Sequence, residues 1–356
     1  MSRTRIGLQI LAAALAVLVV GRIVLQADVA TTLRTIGGAG PLILLGLVPF
    51  GIGMTFDAWG VVQLLRALGH RTSLAQMLPV RLASEALHIT LPAGFVAADA
   101  ATAVLLERRC QVPVADGVVA SIARKWLVMR SHALYIAVGG VAGWGALTAL
   151  ANALHVPALP GIVVGSALVP FVLSAGVGAA LLGRGTFARL HRVLARIPSK
   201  RLARWLASRG HDAVATDAQV VKLREARGVT ASATLAFLGA WCLEALESAL
   251  LLHLVGARVD LASVFAAEAG LSMVRSIVVF APSGLGVVDL GYAAVVQAFG
   301  VDPAAAAAFV LLRRAKEAVW VLAGYLTLSR QASAGRSASG VVTPPRSNAR
   351  TVTSAS

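Results

Sequence analysis

Two stretches of the chain, 190 residues apart, carry the same helix breakers and charges in the same spacing. Pro92, Gly94, Asp99, Pro113 and Arg124 recur as Pro282, Gly284, Asp289, Pro303 and Arg314. Seven of the 33 aligned positions are identical, and five of those are Pro, Gly, Asp or Arg, so the register rests on residues that shape and charge a backbone. Breakers, a carboxylate and an arginine set inside apolar sequence describe broken membrane helices around a polar site, the plan of transporters built from repeats.

Composition agrees with that setting. The 356 residues are 58% hydrophobic and 13% charged, with a mean hydropathy of +0.80, outside the range of soluble globular domains. The net charge of +16 raises nucleic acid as a partner, but aromatic residues make up only 5% and the Arg and Lys collect between apolar segments. A positive-inside orientation and contact with anionic lipid explain that distribution better. Cys110 and Cys242 stand alone and indicate neither a zinc site nor a disulfide framework.

A hydrocarbon core of about 30 Å needs about 20 apolar helical residues. Residues 6–26 and 41–65 read as full spans, with Gly37, Gly38, Gly40 and Pro41 marking the turn between them. The first run resembles a signal peptide, but no good cleavage site follows it and a retained span is expected. Block 74–107 is broken near its middle by Pro92 and Gly94, which predicts a re-entrant hairpin starting and finishing in the cytoplasm. Residues 115–147 and 161–182 give two further crossings around an external loop, 148–160, without Lys or Arg.

Residues 183–229 form a basic cytoplasmic loop in which Phe187, Leu190, Leu194 and Ile197 alternate at helical spacing with Arg189, Arg192 and Arg196, a pattern for helices lying on an anionic leaflet. Residues 230–254 cross outward. Block 261–299, broken at Pro282, Gly284 and Gly286, starts and finishes outside, and 304–328 returns. The Ser, Thr, Pro and Arg-rich tail, 330–356, lacks periodicity and is expected to be disordered. By this topology 21 Lys or Arg are cytoplasmic, both termini included, and two, Arg34 and Arg258, are external. The expected fold is therefore an all-α polytopic membrane protein. It has inverted repeat halves at about 41–182 and 230–328, each with a broken re-entrant helix hairpin, within a membrane domain of 1–329.

A charge at the bilayer centre costs at least ~2.5–3.5 kcal/mol, so intramembrane charges face partners or wet cavities. Glu85 and Arg275 each stand seven residues before a repeat proline, which makes them equivalent positions of opposite charge; an ion pair between hairpins and contact with a ligand both fit them. Asp99 and Asp289 sit in the first turns after the breaks, where a helix N-terminus alone favours a carboxylate. Arg124 and Arg314 lie within long apolar helices and suit a lipid phosphate, gripped by two parallel hydrogen bonds. Glu317 is placed to pair with Arg313 at i,i+4. Glu244 and Glu247 share a face at i,i+3 but lack the histidine partners of a metal site. Nucleophile-elbow, phosphate-loop and zincin motifs are absent; no catalytic residue, metal or cofactor is expected.

Ser84-Glu85 followed by Leu91-Pro92-Ala93-Gly94 and Asp99, together with Ala281-Pro282-Ser283-Gly284-Leu285-Gly286 and the trailing Arg124 and Arg314, resembles the lysylphosphatidylglycerol synthase transmembrane region, a flippase-like family, over roughly residues 5–330. The double glycine usual after the first break is here Ala97-Ala98, and the usual glutamate after the second is matched by Asp289. The resemblance implies a lipid-translocating or lipid-binding protein of the inner or plasma membrane. The soluble aminoacyltransferase domain of the bifunctional synthases has no counterpart in the tail, so transferase activity is not expected. The expected partners are anionic or phosphate-bearing membrane lipids, and a lipid-biosynthesis enzyme if the chain serves instead as an accessory subunit. An intramembrane enzyme acting on a lipid carrier, with Glu85 or Asp99 as base, is the third reading.

Overall fold

The computed structural model describes residues 28–91, 94–182, 225–278 and 284–339, with 21, 219 and 221–223 as isolated positions. The expected first span at 6–26, Pro92, Pro282, most of the basic loop and residues 340–356 lie outside this set. The described residues form helices and no strands: α1 Val29–Ala39, a 3-10 stretch Gly40–Leu47, α2 Val48–Ala67, α3 Leu74–Thr90, α4 Gly94–Cys110, α5 Val114–Ala142, α6 Trp144–Ala153, α7 Leu159–Ser166, α8 Leu168–Leu182, α9 Arg227–Leu254, α10 Leu261–Ile277, α11 Val287–Ala298 and α12 Pro303–Ser339.

Three helical segments are long and apolar enough to cross a bilayer, Val29–Ala67, Leu159–Leu181 and Arg227–Leu254, and α5 with α6 forms a fourth that bends by 74°. Large apolar side chains cover the outside, among them Leu44, Val48 and Ile52, Val138 and Val141, Phe171 and Val172, and Leu322, while Asp57, Arg81, Glu247, Glu268 and Asp289 are buried inside. An apolar surface around a charged interior is the arrangement a lipid solvent demands. The chain is a polytopic membrane protein.

Two boundaries differ from expectation. The Gly37–Pro41 region does not turn the chain back; it is a point of adjustment in a continuous helical segment, with Gly40 at φ +53 followed by the 3-10 stretch. Residues 144–153 of the region assigned to a crossing end and a loop instead form α6, set off at Gly143. At the C-terminus α12 continues to Ser339, beyond the Arg330 at which a tail was expected to begin.

The order long helix, helix, break, helix, long helix occurs twice, as α2 to α5 and as α9 to α12. Local signals set the same ends in both. The α2–α3 and α9–α10 turns each pivot on a left-handed glycine, Gly69 at φ +94 and Gly256 at φ +79. Ser73 caps α3, its hydroxyl accepting from the Gln76 N–H at 3.2 Å while the Gln76 amide oxygen accepts from the Ser73 N–H at 3.0 Å. Asp260 caps α10, accepting from the Ser263 N–H at 3.0 Å.

These landmarks lie 187 residues apart rather than 190: α2 and α9 end at Ala67 and Leu254, and α3 and α10 cover 74–90 and 261–277. The second copy carries three more residues between its helix and its proline. The equivalence of Glu85 with Arg275 is therefore corrected. In the helices before the breaks Arg275 corresponds to His88 and Glu85 to Ser272, and the 190-residue register holds only from the prolines onward.

The breaks are built differently. Leu91, which precedes Pro92, is extended at φ −101 and ψ 140, as a residue before proline must be. A Cβ on Gly94 would collide with the His88 carbonyl oxygen, so α4 begins against the backbone of the last turn of α3. The second break unwinds through Gly284 and Gly286, both left-handed at φ +64 and +86, before α11. The copies interlock, because α2 packs along α9 and α3 along α12, which brings both breaks toward one interior space.

Candidate functional site

That space is a cavity of about 390 Å³ between the halves. Leu91 and Gly94 of the first break and Val278 and Gly284 of the second line it, so both interruptions open onto the same volume. Five carboxylates, Asp57, Glu85, Glu244, Glu247 and Glu317, and five bases, Arg124, Arg275, Arg313, Arg314 and Lys316, also face it, and their formal charges cancel. Phe50, Phe237 and Trp241 supply aromatic wall.

The first half places a buried carboxylate, Asp57 of α2, between two guanidinium groups. Arg81 of α3 donates from Nε to Oδ2, and Arg124 of α5 donates from Nε to Oδ1 at 2.8 Å. Arg81 also stands 3.7 Å from Glu85, one turn along α3. Lys125 of α5 pairs with Asp99 of α4, at a more exposed position away from the cavity wall.

The second half repeats this plan with more members. Glu244 of α9, at the position corresponding to Asp57 in the 187-residue register, pairs with Arg275 of α10 and with Arg313 of α12 at 3.1 Å. Arg313 then reaches Glu268 at 2.9 Å and the Ser248 hydroxyl at 2.6 Å, and its guanidinium lies 4.1 Å from the centre of the Tyr292 ring. Glu268 also accepts from the Ser248 hydroxyl and, at 2.6 Å, from the Tyr292 hydroxyl. Arg314 grips Asp289 of α11 with two hydrogen bonds of 2.8 and 3.0 Å and pairs with Glu317. Lys316 stands 2.6 Å from Glu247 and 4.7 Å from the centre of the Phe50 ring.

Of the residues singled out from sequence, Glu85, Arg124, Arg275 and Arg314 reach the cavity, as do Gly94 and Gly284. Glu85 and Arg275 are not partners of one another; each pairs within its own half. Asp99 and Asp289 instead serve as anchors for Lys125 and Arg314, and Asp289 also accepts from the Gly286 N–H at 2.9 Å, closing the second break onto α11. Glu317 pairs with Arg314 at i,i+3, correcting the expected i,i+4 pairing with Arg313, whose fork is already taken by Glu244 and Glu268.

Arg124 and Arg314 are both engaged by carboxylates. Arg275 differs, since its Nη2 is buried with no hydrogen-bond partner among the described residues. Sequence reading passed over Asp57, although an aspartate in the middle of an apolar span was the available signal. Among the described residues no group of three His, Cys, Asp or Glu is placed to hold a metal ion.

A family model described as the lysylphosphatidylglycerol synthase TM region matches residues 9–324. No curated protein and no solved structure matches the chain. The matched residues include both helix breaks and every charged residue of the cavity, and the chain belongs to the lysylphosphatidylglycerol synthase transmembrane-region family.

Proposed function

We propose that this protein moves a phosphate-bearing amphipathic lipid between leaflets of the cell membrane, with the headgroup travelling through the cavity between the halves while the acyl or isoprenoid chains stay in the bilayer. One observation carries the reading: a charge-lined cavity receives both helix breaks in a molecule whose outer surface is apolar. A headgroup leaving water needs replacement hydrogen bonds, and a cavity with five acids and five bases supplies them to either sign of charge. Membership of a family of lipid-handling membrane domains supports the same class of substrate.

In this proposal the two broken pairs are re-entrant hairpins of opposite orientation, the termini are cytoplasmic, and alternating access follows from rocking one half against the other. Arg275 makes the first contact with phosphate, because among the described residues its Nη2 has no hydrogen-bond partner. Arg124 and Arg314 take over by exchanging Asp57, Asp289 or Glu317 for phosphate oxygens.

The test is a leaflet-specific assay in proteoliposomes that contain a fluorescent phosphatidylglycerol. Wild-type protein is expected to move the probe faster than empty vesicles do, and Arg124→Leu, Arg314→Leu and Arg275→Leu are expected to slow it at least tenfold. Movement no faster than in empty vesicles, or unaffected by all three substitutions, overturns the proposal.

A further inference from the structure

Glu247 is the carboxylate that the ion-pair network holds least. Its side chain is fully buried on α9, and no hydrogen-bond donor other than Lys316 reaches either oxygen among the described residues. Glu268, one helix away, is a buried carboxylate held more fully in the same protein, with donors from Arg313, Ser248 and Tyr292. A buried carboxylate with a single ammonium partner is the kind that exchanges a proton when its partner moves.

The pair is also absent from the duplicated plan. The first-half counterparts of Glu247 and Lys316 are Gly60, in the 187-residue register, and Trp126, in the 190-residue register. Among its described residues the first half packs with no such pair at these positions, so what Glu247 and Lys316 add is not demanded by the repeat's architecture. Both line the cavity in which the headgroup would travel.

We propose that Glu247 is a proton-binding site that couples lipid movement to a transmembrane proton gradient, an inference that rests on the lipid-moving role above. A proton from the aqueous side bonds to a Glu247 oxygen, the ion pair with Lys316 opens, and the Lys316 ammonium turns to the lipid phosphate in the cavity. Release of that proton on the other side restores the pair and frees the phosphate. The charge count balances, since one proton and one phosphate charge enter together.

The other charged groups around Glu247 are each held elsewhere. On its own helix Glu244 is paired with Arg275 of α10 and Arg313 of α12. Glu317 of α12 is paired with Arg314, and Asp57 of α2 with Arg124 of α5. Lys316 is therefore the group released when Glu247 is neutralised.

Two measurements test this on the purified full-length protein. In phosphatidylcholine vesicles containing fluorescent phosphatidylglycerol, an imposed pH gradient is expected to change the wild-type rate at least threefold, and the ratio of rates with and without the gradient is expected to fall to about one in Glu247→Gln. Infrared difference spectroscopy, which needs no lipid movement, is expected to show a protonated-carboxyl band that titrates in the wild type and is missing in Glu247→Gln. If Glu247→Gln does not fold, Lys316→Gln gives the same test with the opposite sign, the carboxyl remaining protonated throughout. Lipid movement that ignores the gradient in the wild type, or responds equally in the variants, overturns the coupling. A titrating Glu247 band in a protein that moves no lipid leaves the proton site standing and removes the lipid-moving role. A wild type without the band removes the proton site.

Discussion

The two halves share one wiring plan and use it with different weight. In each, a carboxylate on the first long helix bridges an arginine from the helix before the break and an arginine from the last long helix, as Asp57 bridges Arg81 and Arg124 and Glu244 bridges Arg275 and Arg313. The first half stops nearly there. The second ties in Glu268, Ser248 and Tyr292 through Arg313, and beside them Arg314 gathers Asp289 and Glu317. A network in which each member holds several others resists local opening more than isolated pairs do. The charges of the second half are thus held in a larger hydrogen-bonded frame beside the cavity than those of the first.

Removing one last-helix arginine from each network gives the largest contrast between the halves. Arg313→Leu leaves Glu268, 2% exposed, without its charge partner and is expected to destabilise the protein by about 3–5 kcal/mol. Arg124→Leu leaves Asp57 still held by Arg81 and is expected to destabilise by about 1–3 kcal/mol. Thermal unfolding of both variants in the same detergent measures the contrast. Equal losses would remove the distinction between the larger and the smaller network.

The breaks offer a second contrast of smaller size. In Gly94→Ala the new Cβ meets two backbone carbonyl oxygens, of His88 and, at 2.6 Å, of Leu87, which cannot turn aside, and about 1–3 kcal/mol of stability is expected to be lost. In Gly284→Ala the left-handed backbone and a Val288 methyl resist, at about 1–2 kcal/mol, because the valine side chain can turn about χ1. Protease sensitivity at the break and the unfolding midpoint read both. A larger effect at Gly284 would show that the unwound second linker, not the tight first one, is the more constrained.

The helix caps give the smallest effect and separate the halves by pH. Ser73→Ala and Asp260→Ala are each expected to cost about 1 kcal/mol. The hydrogen bonds from the Ser263 hydroxyl and backbone N–H hold the Asp260 carboxyl below its usual range. The folded value thus lies below the unfolded one of about 3.9, and the stabilisation is full above that pH and fades as pH falls through the depressed value. Ser73 does not titrate. The destabilisation caused by Asp260→Ala should therefore shrink under acid conditions while that of Ser73→Ala stays constant, as urea unfolding at neutral and acid pH would record.

Much of this was legible in the sequence wherever one residue dictates the backbone beside it. The Leu91-Pro92 step and the Gly284 and Gly286 pair fix helix ends locally where the sequence put the breaks, whereas the Ser73 and Gln76 cap, equally local, was not read from it. Pairing was less legible, because i,i+3 and i,i+4 neighbours compete with partners from other helices. Glu317 took Arg314 since Arg313 was already committed across the bundle. Asp57 was missed because its partners lie 24 and 67 residues away. The Glu85 and Arg275 equivalence failed through a register anchored only after the prolines; Gly69 with Gly256 and Arg71 with Arg258 carry the 187-residue offset that corrects it.

The central claim is that the cavity between the halves receives a phosphate headgroup on Arg275. Native mass spectrometry of the purified protein tests it most directly, comparing wild type with Arg275→Leu and with Arg258→Leu, an exposed control in the α9–α10 loop. A phosphate-bearing lipid is expected to be retained by the wild type and by Arg258→Leu and lost from Arg275→Leu. Equal retention by all three would contradict it.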